Sequence, residues 1–366
     1  MLIVKRFILW VLLFFMAITQ LLLYLPDFSC SISTGLPLCT PQFNVNIVTG
    51  SRTTKDFVSS VRQFLRLISY LAIDMGWSRY LADPHIYNEE NLVDTFDTDN
   101  LFKINYFGFC KKTSGKTKYC VANGDCGMDV LGILVRDVGL QLGRLTQQYE
   151  NNTRILGDSL VFTYHLGLSS MRKFLRNDNY RNNAFSKLLL ATDDQPYSNT
   201  RIKNYAKGVT VAYTLVVVNK IMFYMHLAEI TISAAFVVAV LGFGFVLIFG
   251  KHHTIMPLLL KGWGSVLMVS STSSYLATIV YLGTLKLLEP TEMLDTQSQV
   301  PGHVLNNDTH SNNWDLLQTT VGSGFVISCF RYIVQCLMLP LVFIAANRYT
   351  KAKDFLPAGT EELIKV

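Results

Sequence analysis

Four stretches of this chain are almost wholly apolar, and between the first and second of them apolar residues recur at helical spacing. Phe7 to Leu25 carries no charge over about nineteen residues, which at 1.5 Å per residue is enough to cross a hydrocarbon core of about 30 Å. A cleaved signal sequence is the rival reading, but its apolar region is normally about 7 to 15 residues. On either reading the residues that follow are exported. Three further runs come late in the chain, at 228–250, 263–285 and 320–346. Val209 to Leu227 is apolar too, yet Asn219 and Lys220 would lie mid-span, where an ionised residue costs at least ~2.5 kcal/mol. The expectation there is an amphipathic or extended lead into the second span.

Between the spans, Phe57, Val61, Phe64, Leu65, Ile68, Leu71, Ala72 and Met75 repeat at helix spacing. A second helix is expected from Met128 to about Tyr149, and a third through Val161, Tyr164, Leu168, Met171 and Leu175. "FNVNIV", Phe43 to Val48, alternates as one short strand. The predicted fold is therefore mainly α: a four-helix transmembrane bundle with a large, mostly helical, disulfide-stapled exoplasmic domain between spans 1 and 2.

Positive charge orients the spans. Lys5 and Arg6, the loop with Lys251, His252, His253 and Lys261, and the tail with Arg348, Lys351 and Lys353 alternate onto one side. The organisation read from this is a cytosolic N-terminus (1–6), span 1 (7–25), an exoplasmic or lumenal domain (26–227), span 2 (228–250), a cytosolic loop (251–262), span 3 (263–285), an exoplasmic loop (286–319), span 4 (320–346) and a cytosolic tail (347–366). The two N-x-[ST] sequons begin at Asn151 and Asn307 and fall one in each exoplasmic region.

Composition agrees with a bilayer as the first partner: half of the residues are hydrophobic and only 16% are charged. The net charge of +6 is accounted for by loop placement, and no zinc-finger or RNA-binding signature accompanies it, so nucleic acid is set aside as a partner.

Five of the seven cysteines lie in the exported region, where disulfides persist. "NYFGFCKKTSGKTKYC" sets Cys110 and Cys120 on either side of Ser114-Gly115, so two short strands meeting at a turn would join their sulfurs. Zinc ligands want closer pairs, and C-x-x-C is absent. Cys30 and Cys39 form a second local pair around Gly35-Leu36-Pro37. Cys126 is left over, and a free thiol, a bond to another chain or an exchange with a chosen partner all fit five cysteines.

No motif points to a catalytic centre, a cofactor or a metal. "GDSL", Gly157 to Leu160, invites comparison with serine esterases, but no histidine base, orienting acid or strand-turn context surrounds Ser159. Glycines at 242, 244, 250, 322 and 324 and the run Ser270–Ser274 suit close helix packing. Glu229 and Arg331 are the ionisable residues inside spans. Measured from the cytosolic helix ends they stand about 31 Å and about 23 Å up, near enough for an intramembrane ion pair. A channel or transporter using Glu229 and Arg331 is the alternative reading of that pair.

"SVRQFLRLISYLAIDMGWS", "NLVDTFDTDNLFKINYFGFCKK", "GMDVLGILVRDVGLQLG", "GDSL" and "VGSGF" together resemble the spore membrane assembly proteins of budding yeasts, over most of the chain. The resemblance implies a non-enzymatic multi-pass protein of the prospore membrane, the double membrane that grows around each meiotic nucleus. Its role there would be membrane assembly and growth in ascospore formation, with membrane or lumenal protein partners. More distantly the chain resembles PalI-type and claudin-like tetraspan proteins, with Phe107-Gly108-Phe109-Cys110 standing where claudins have Gly-Leu-Trp and then Cys. That partial match and the helical periodicity point away from a claudin-type sheet.

Overall fold

The computed structural model describes residues 2–31, 39–48, 99–123, 127–145, 150–176, 199–249, 255–286, 288–289 and 317–351. In chain order its elements are α1 (Leu2–Leu22), a 3-10 turn (Leu25–Ser31), β1 (Phe43–Ile47), β2 (Asn100–Asn105), β3 (Gly108–Thr113), β4 (Lys116–Ala122), α2 (Val130–Leu145), α3 (Glu150–Arg176), α4 (Asn199–Phe249), α5 (Ile255–Lys286), β5 (Leu317–Val321) and α6 (Ser323–Lys351). The protein is mainly helical, and α1, α4, α5 and α6 are long and apolar enough to cross a membrane. They neighbour one another in the order α1, α4, α5, α6 and back to α1.

Several boundaries differ from those read in the sequence. Residues 209–227 are not extended: they are helical and continuous with the second span in the 51-residue α4. Asn219, one of the residues that argued against a span there, is buried and accepts a hydrogen bond from the Met128 amide at 2.8 Å. Helix α5 begins at Ile255 rather than at 263. Residues 317–321 form a strand, so the fourth helix starts at Ser323. The predicted helix at 57–75 lies outside the described residues.

The region expected to be mostly helical supplies β1 to β4 of an antiparallel sheet that β5 completes, and among the described residues the order is β4-β3-β2-β1-β5. Strand β1 alternates as its sequence requires, burying Phe43, Val45 and Ile47 and leaving Asn44 and Asn46 half-buried on the other face. Phe102, Ile104, Phe109 and Val121 extend this apolar face across β2, β3 and β4, and Ile133, Leu134 and Val138 of α2 pack against it. The same core takes in Leu215 and Met222 of α4 and Tyr281 and Leu285 of α5, so the sheet is seated on the helices. A second core, containing Leu13, Phe236, Val240, Leu267, Met338 and Val342, fills the bundle away from the sheet.

Both sheet edges are protected. On β5, the amides of Leu317 and Thr319 donate to the Leu288 carbonyl (3.2 Å) and the Glu289 carboxylate (2.9 Å). On β4, exposed Lys116 and Lys118 place charge where another strand would pair. Behind the sheet, the buried Lys111 ammonium of β3 meets buried Asp137 of α2 at 3.0 Å, and Gln141 donates to the same carboxylate. Helix α3 packs on α2 where a Cβ at Gly139 would fall 2.8 Å from the Cα of Gly157. The glycine of "GDSL" is thus a helix contact.

Two disulfides staple the sheet. Cys110 and Cys120 are directly opposite in the β3-β4 register and bonded at 2.00 Å, and the turn between them uses positive φ at Ser114 (48°) and Gly115 (82°). Cys30 and Cys39 are bonded at 2.01 Å, tying the 3-10 turn after α1 to the approach to β1. The sulfurs of Cys30, Cys39 and Cys110 lie within 4.8 Å of one another, but all three are consumed in disulfides and offer no thiolate to a metal. Cys126 lies outside the described residues. Replacing Cys110 and Cys120 together by Ser opens a loop of ten residues and is expected to cost about 2 to 3 kcal/mol by chain entropy. Chemical denaturation of the purified chain checks this, and peptide mapping without reductant should recover a Cys110–Cys120 crosslink.

Candidate functional site

A polar layer separates the two cores. Glu229 lies twenty residues before Phe249, the end of α4, and Arg331 lies twenty residues before Lys351, the end of α6. Each is therefore about 30 Å along its helix from the end of the bundle opposite the sheet, and they stand level with each other. The extension of α6 from 346 to Lys351 is why the offset expected from the sequence disappears. Arg331 Nε approaches Glu229 Oε1 at 3.7 Å, with both side chains almost fully buried.

This contact is one side of a larger cluster. Arg331 Nη1 donates to Asp27 Oδ2 at 2.7 Å, and Asp27, on the 3-10 turn after α1, is completely buried. Gln42, just before β1, donates through Nε2 to Asp27 Oδ1 and to Ser328 Oγ of α6, each at 3.1 Å. His226 lies three residues before Glu229 on α4, at 3.1 Å from Asp27 through Nε2 and 3.4 Å from Glu229 through Nδ1. Ser271 of α5 donates to Glu229 Oε1 at 2.9 Å. All four membrane-length helices or their extensions, and the sheet, meet here.

Aromatic rings close the layer above and below. The Tyr106 ring, at the β2-β3 turn, stacks on His226 at 3.8 Å, and the Arg331 guanidinium lies over Tyr24, just after α1, at 4.2 Å. Burial pushes the Tyr106 phenol up, with the negative charge of Asp27 adding to the shift. Its hydroxyl therefore stays protonated and shares a 2.9 Å hydrogen bond with Thr278 of α5. A small pocket abuts the cluster, with Glu229, Arg331, Ser271, Ser274, Thr278 and Ser328 among its walls. Two members of the Ser270–Ser274 run thus serve polar contacts beyond close packing.

The sequence-predicted residues are placed as follows. Glu229 and Arg331 are brought together, and each cysteine pair, Cys30 with Cys39 and Cys110 with Cys120, is joined. Asn151 falls in the first turn of α3, and Asn307 lies outside the described residues. Ser159 is exposed in the middle of α3, where its carbonyl accepts from Thr163, and its neighbour Asp158 pairs with Arg136. That setting is a regular helix, not a strand-to-helix turn. Gly322 and Gly324 pack on the backbone of Pro41 rather than on another helix. Asp27, His226 and Gln42 were missed, although His226 shares a helix face with Glu229 through their i,i+3 spacing.

The arrangement is an ionic joint between sheet and bundle. Its charged groups face one another and neighbouring hydroxyl and amide groups at ion-pair or hydrogen-bond distance, and their chemistry is attraction held in a low-dielectric layer. Four membrane-length helices carrying a disulfide-stapled sheet on such a joint fit the multi-pass membrane class.

Comparison with known proteins narrows the class. The chain belongs to the family described as spore membrane assembly protein 2, whose model matches residues 2–362. It is 99% identical over its whole length to the spore membrane assembly protein 2 of Candida glabrata, all of which it covers. It is 47% identical to that of Vanderwaltozyma polyspora over 100% of this chain and 99% of the relative. With that of Saccharomyces cerevisiae it shares 46% identity over 96% of this chain and 94% of the relative. No solved structure matches it.

Arg331→Ala leaves two carboxylates buried without the guanidinium that faces both, and is expected to destabilise the protein by about 3 to 5 kcal/mol. Adding Asp27→Asn to Arg331→Ala should recover part of that loss, because one uncompensated charge is removed. Thermal unfolding of the detergent-purified full chain measures both, and a double variant as unstable as the sum of the singles would contradict the pairing.

Proposed function

We propose that this protein is a non-enzymatic assembly factor of the prospore membrane, needed for that membrane's growth during ascospore formation. Both termini are cytosolic in this reading, and the sheet with α2 and α3 faces the lumen. The observation that carries it is family membership along nearly the whole chain, with relatives named for spore membrane assembly. The joint supports a structural rather than a transporting role. Arg331 and Glu229 are fastened to Asp27, His226 and Ser271, whereas ion movement would ask the same side chains to exchange partners. The exposed mid-helix setting of Ser159 supports the non-enzymatic reading. Lumenal placement accords with disulfides on the sheet and with the basic residues that flank the spans elsewhere. The partners are the bilayer and membrane or lumenal proteins that meet the sheet side.

Two measurements test this. In sporulating budding yeast whose own copy is replaced by this chain, Arg331→Ala and the Cys110/Cys120 double Ser variant should lower spore yield, while Ser159→Ala should leave it unchanged. Loss of spores with Ser159→Ala would overturn the non-enzymatic reading. For sidedness, N-glycan removal should shift the mobility of the wild type and leave an Asn151→Gln/Asn307→Gln variant unmoved. Glycosylation of a sequon inserted on a long spacer between Lys251 and Lys261 would overturn the topology.

A further inference from the structure

The charges of the joint do not balance as ordinarily drawn. Asp27 and Glu229 bring two negative charges and Arg331 one positive charge, all at or below 4% exposure. The other groups facing His226 are neutral: Tyr24 from the turn after α1, and Tyr106 and Phe107 from the β2-β3 turn of the sheet. Gln42, Ser328 and Ser271, which complete the shells of the two carboxylates, are neutral as well. With a neutral imidazole the layer would hold one uncompensated carboxylate in a medium where such a charge costs several kcal/mol.

His226 is placed to correct this. It is fully buried, and its two ring nitrogens face different carboxylates, Nε2 towards Asp27 Oδ2 at 3.1 Å and Nδ1 towards Glu229 Oε2 at 3.4 Å. A neutral imidazole has one N–H, so one nitrogen would turn a lone pair towards a carboxylate oxygen; only the imidazolium presents a positive edge to both. The Tyr106 ring, stacked at 3.8 Å and 12°, favours a cation over its face.

We propose that the joint is a proton-binding site: His226 holds a proton on each ring nitrogen, and this imidazolium is the fourth charge that brings Asp27, Glu229 and Arg331 to neutrality. The proton then links α4 to the turn after α1, as Arg331 links α6 to it. The inference depends on the geometry of the joint and not on the role in spore membranes, so its failure would leave the proposed function standing.

Charge arithmetic supplies the test. His226→Gln leaves the layer at −1, Glu229→Gln leaves it at +1, and the two together return it to zero. In the full chain, purified in detergent, the double variant should unfold less readily than either single one, with an unfolded fraction lower by about tenfold or more at a fixed temperature. If His226 were neutral, His226→Gln would change no charge, and the double variant would be no more stable than Glu229→Gln; that result overturns the proposal. A second measurement does not depend on any variant's stability. In the wild-type chain labelled with 15N-histidine in lipid nanodiscs near neutral pH, the His226 signal, resolved through its contact with the Tyr106 ring protons, should report both ring nitrogens protonated. A single-tautomer signal would overturn the assignment.

Discussion

A buried charge must be answered where it is buried, and this constraint organises the molecule. Arg331 lies inside a helix of membrane length, and its guanidinium is met by Asp27 from the turn after α1 and Glu229 from α4. Neither partner is available unless those helices stand at one level. Apolar faces such as the one joining Leu13, Val240 and Met338 can pack at many offsets, whereas an arginine reaches two carboxylates at only one. The lower core therefore supplies contact area, and the polar layer supplies register.

The same layer explains how the sheet is held. Strand β1 follows the turn that carries Asp27, and β5 runs through Gly322 directly into α6, which carries Arg331. Because β1 and β5 are paired along their length, the two charged residues are attached to adjacent strands. Gln42 completes the connection by bonding Asp27 and Ser328 at once. Forming the ion pair and forming the β1-β5 strand pair are thus geometrically linked, since each brings the other's residues within reach. The Cys30–Cys39 bond lies between the turn and β1 and shortens the path between them.

The parts of the fold with strong local signals were legible in the sequence. The four apolar runs, the strand at Phe43 and the hairpin around Ser114-Gly115 all announce themselves through period or turn chemistry. The sheet as a whole did not. Strand β2 reads "NLFKIN", where the adjacent Leu101 and Phe102 break the alternation, and β4 is polar at its start because it lies at an edge. Strand β5 follows β1 by some 270 residues of chain, and nothing local can reveal that pairing. The joint was half legible for a related reason. Charges within long apolar runs stand out, as Glu229 and Arg331 do, whereas Asp27 and His226 fall beside assumed boundaries and look like ordinary exposed residues until the helices are extended to their true length.

Helix length is what connects these misreadings to function. Extending α4 back to Asn199 turns a presumed lead into a rigid element that enters the sheet's core through Leu215 and Met222 and the bundle's core through Phe236 and Val240. One helix therefore belongs to both halves of the molecule, and the polar layer falls along its middle. Sheet and bundle cannot rotate independently without breaking either α4 or the charges it carries at His226 and Glu229. A displacement imposed on the sheet would be delivered to the spans as a displacement of whole helices, with the charged layer as the most expensive place for it to slip. That rigidity is a physical basis for transmitting a displacement of the sheet to the four membrane-length helices as a unit.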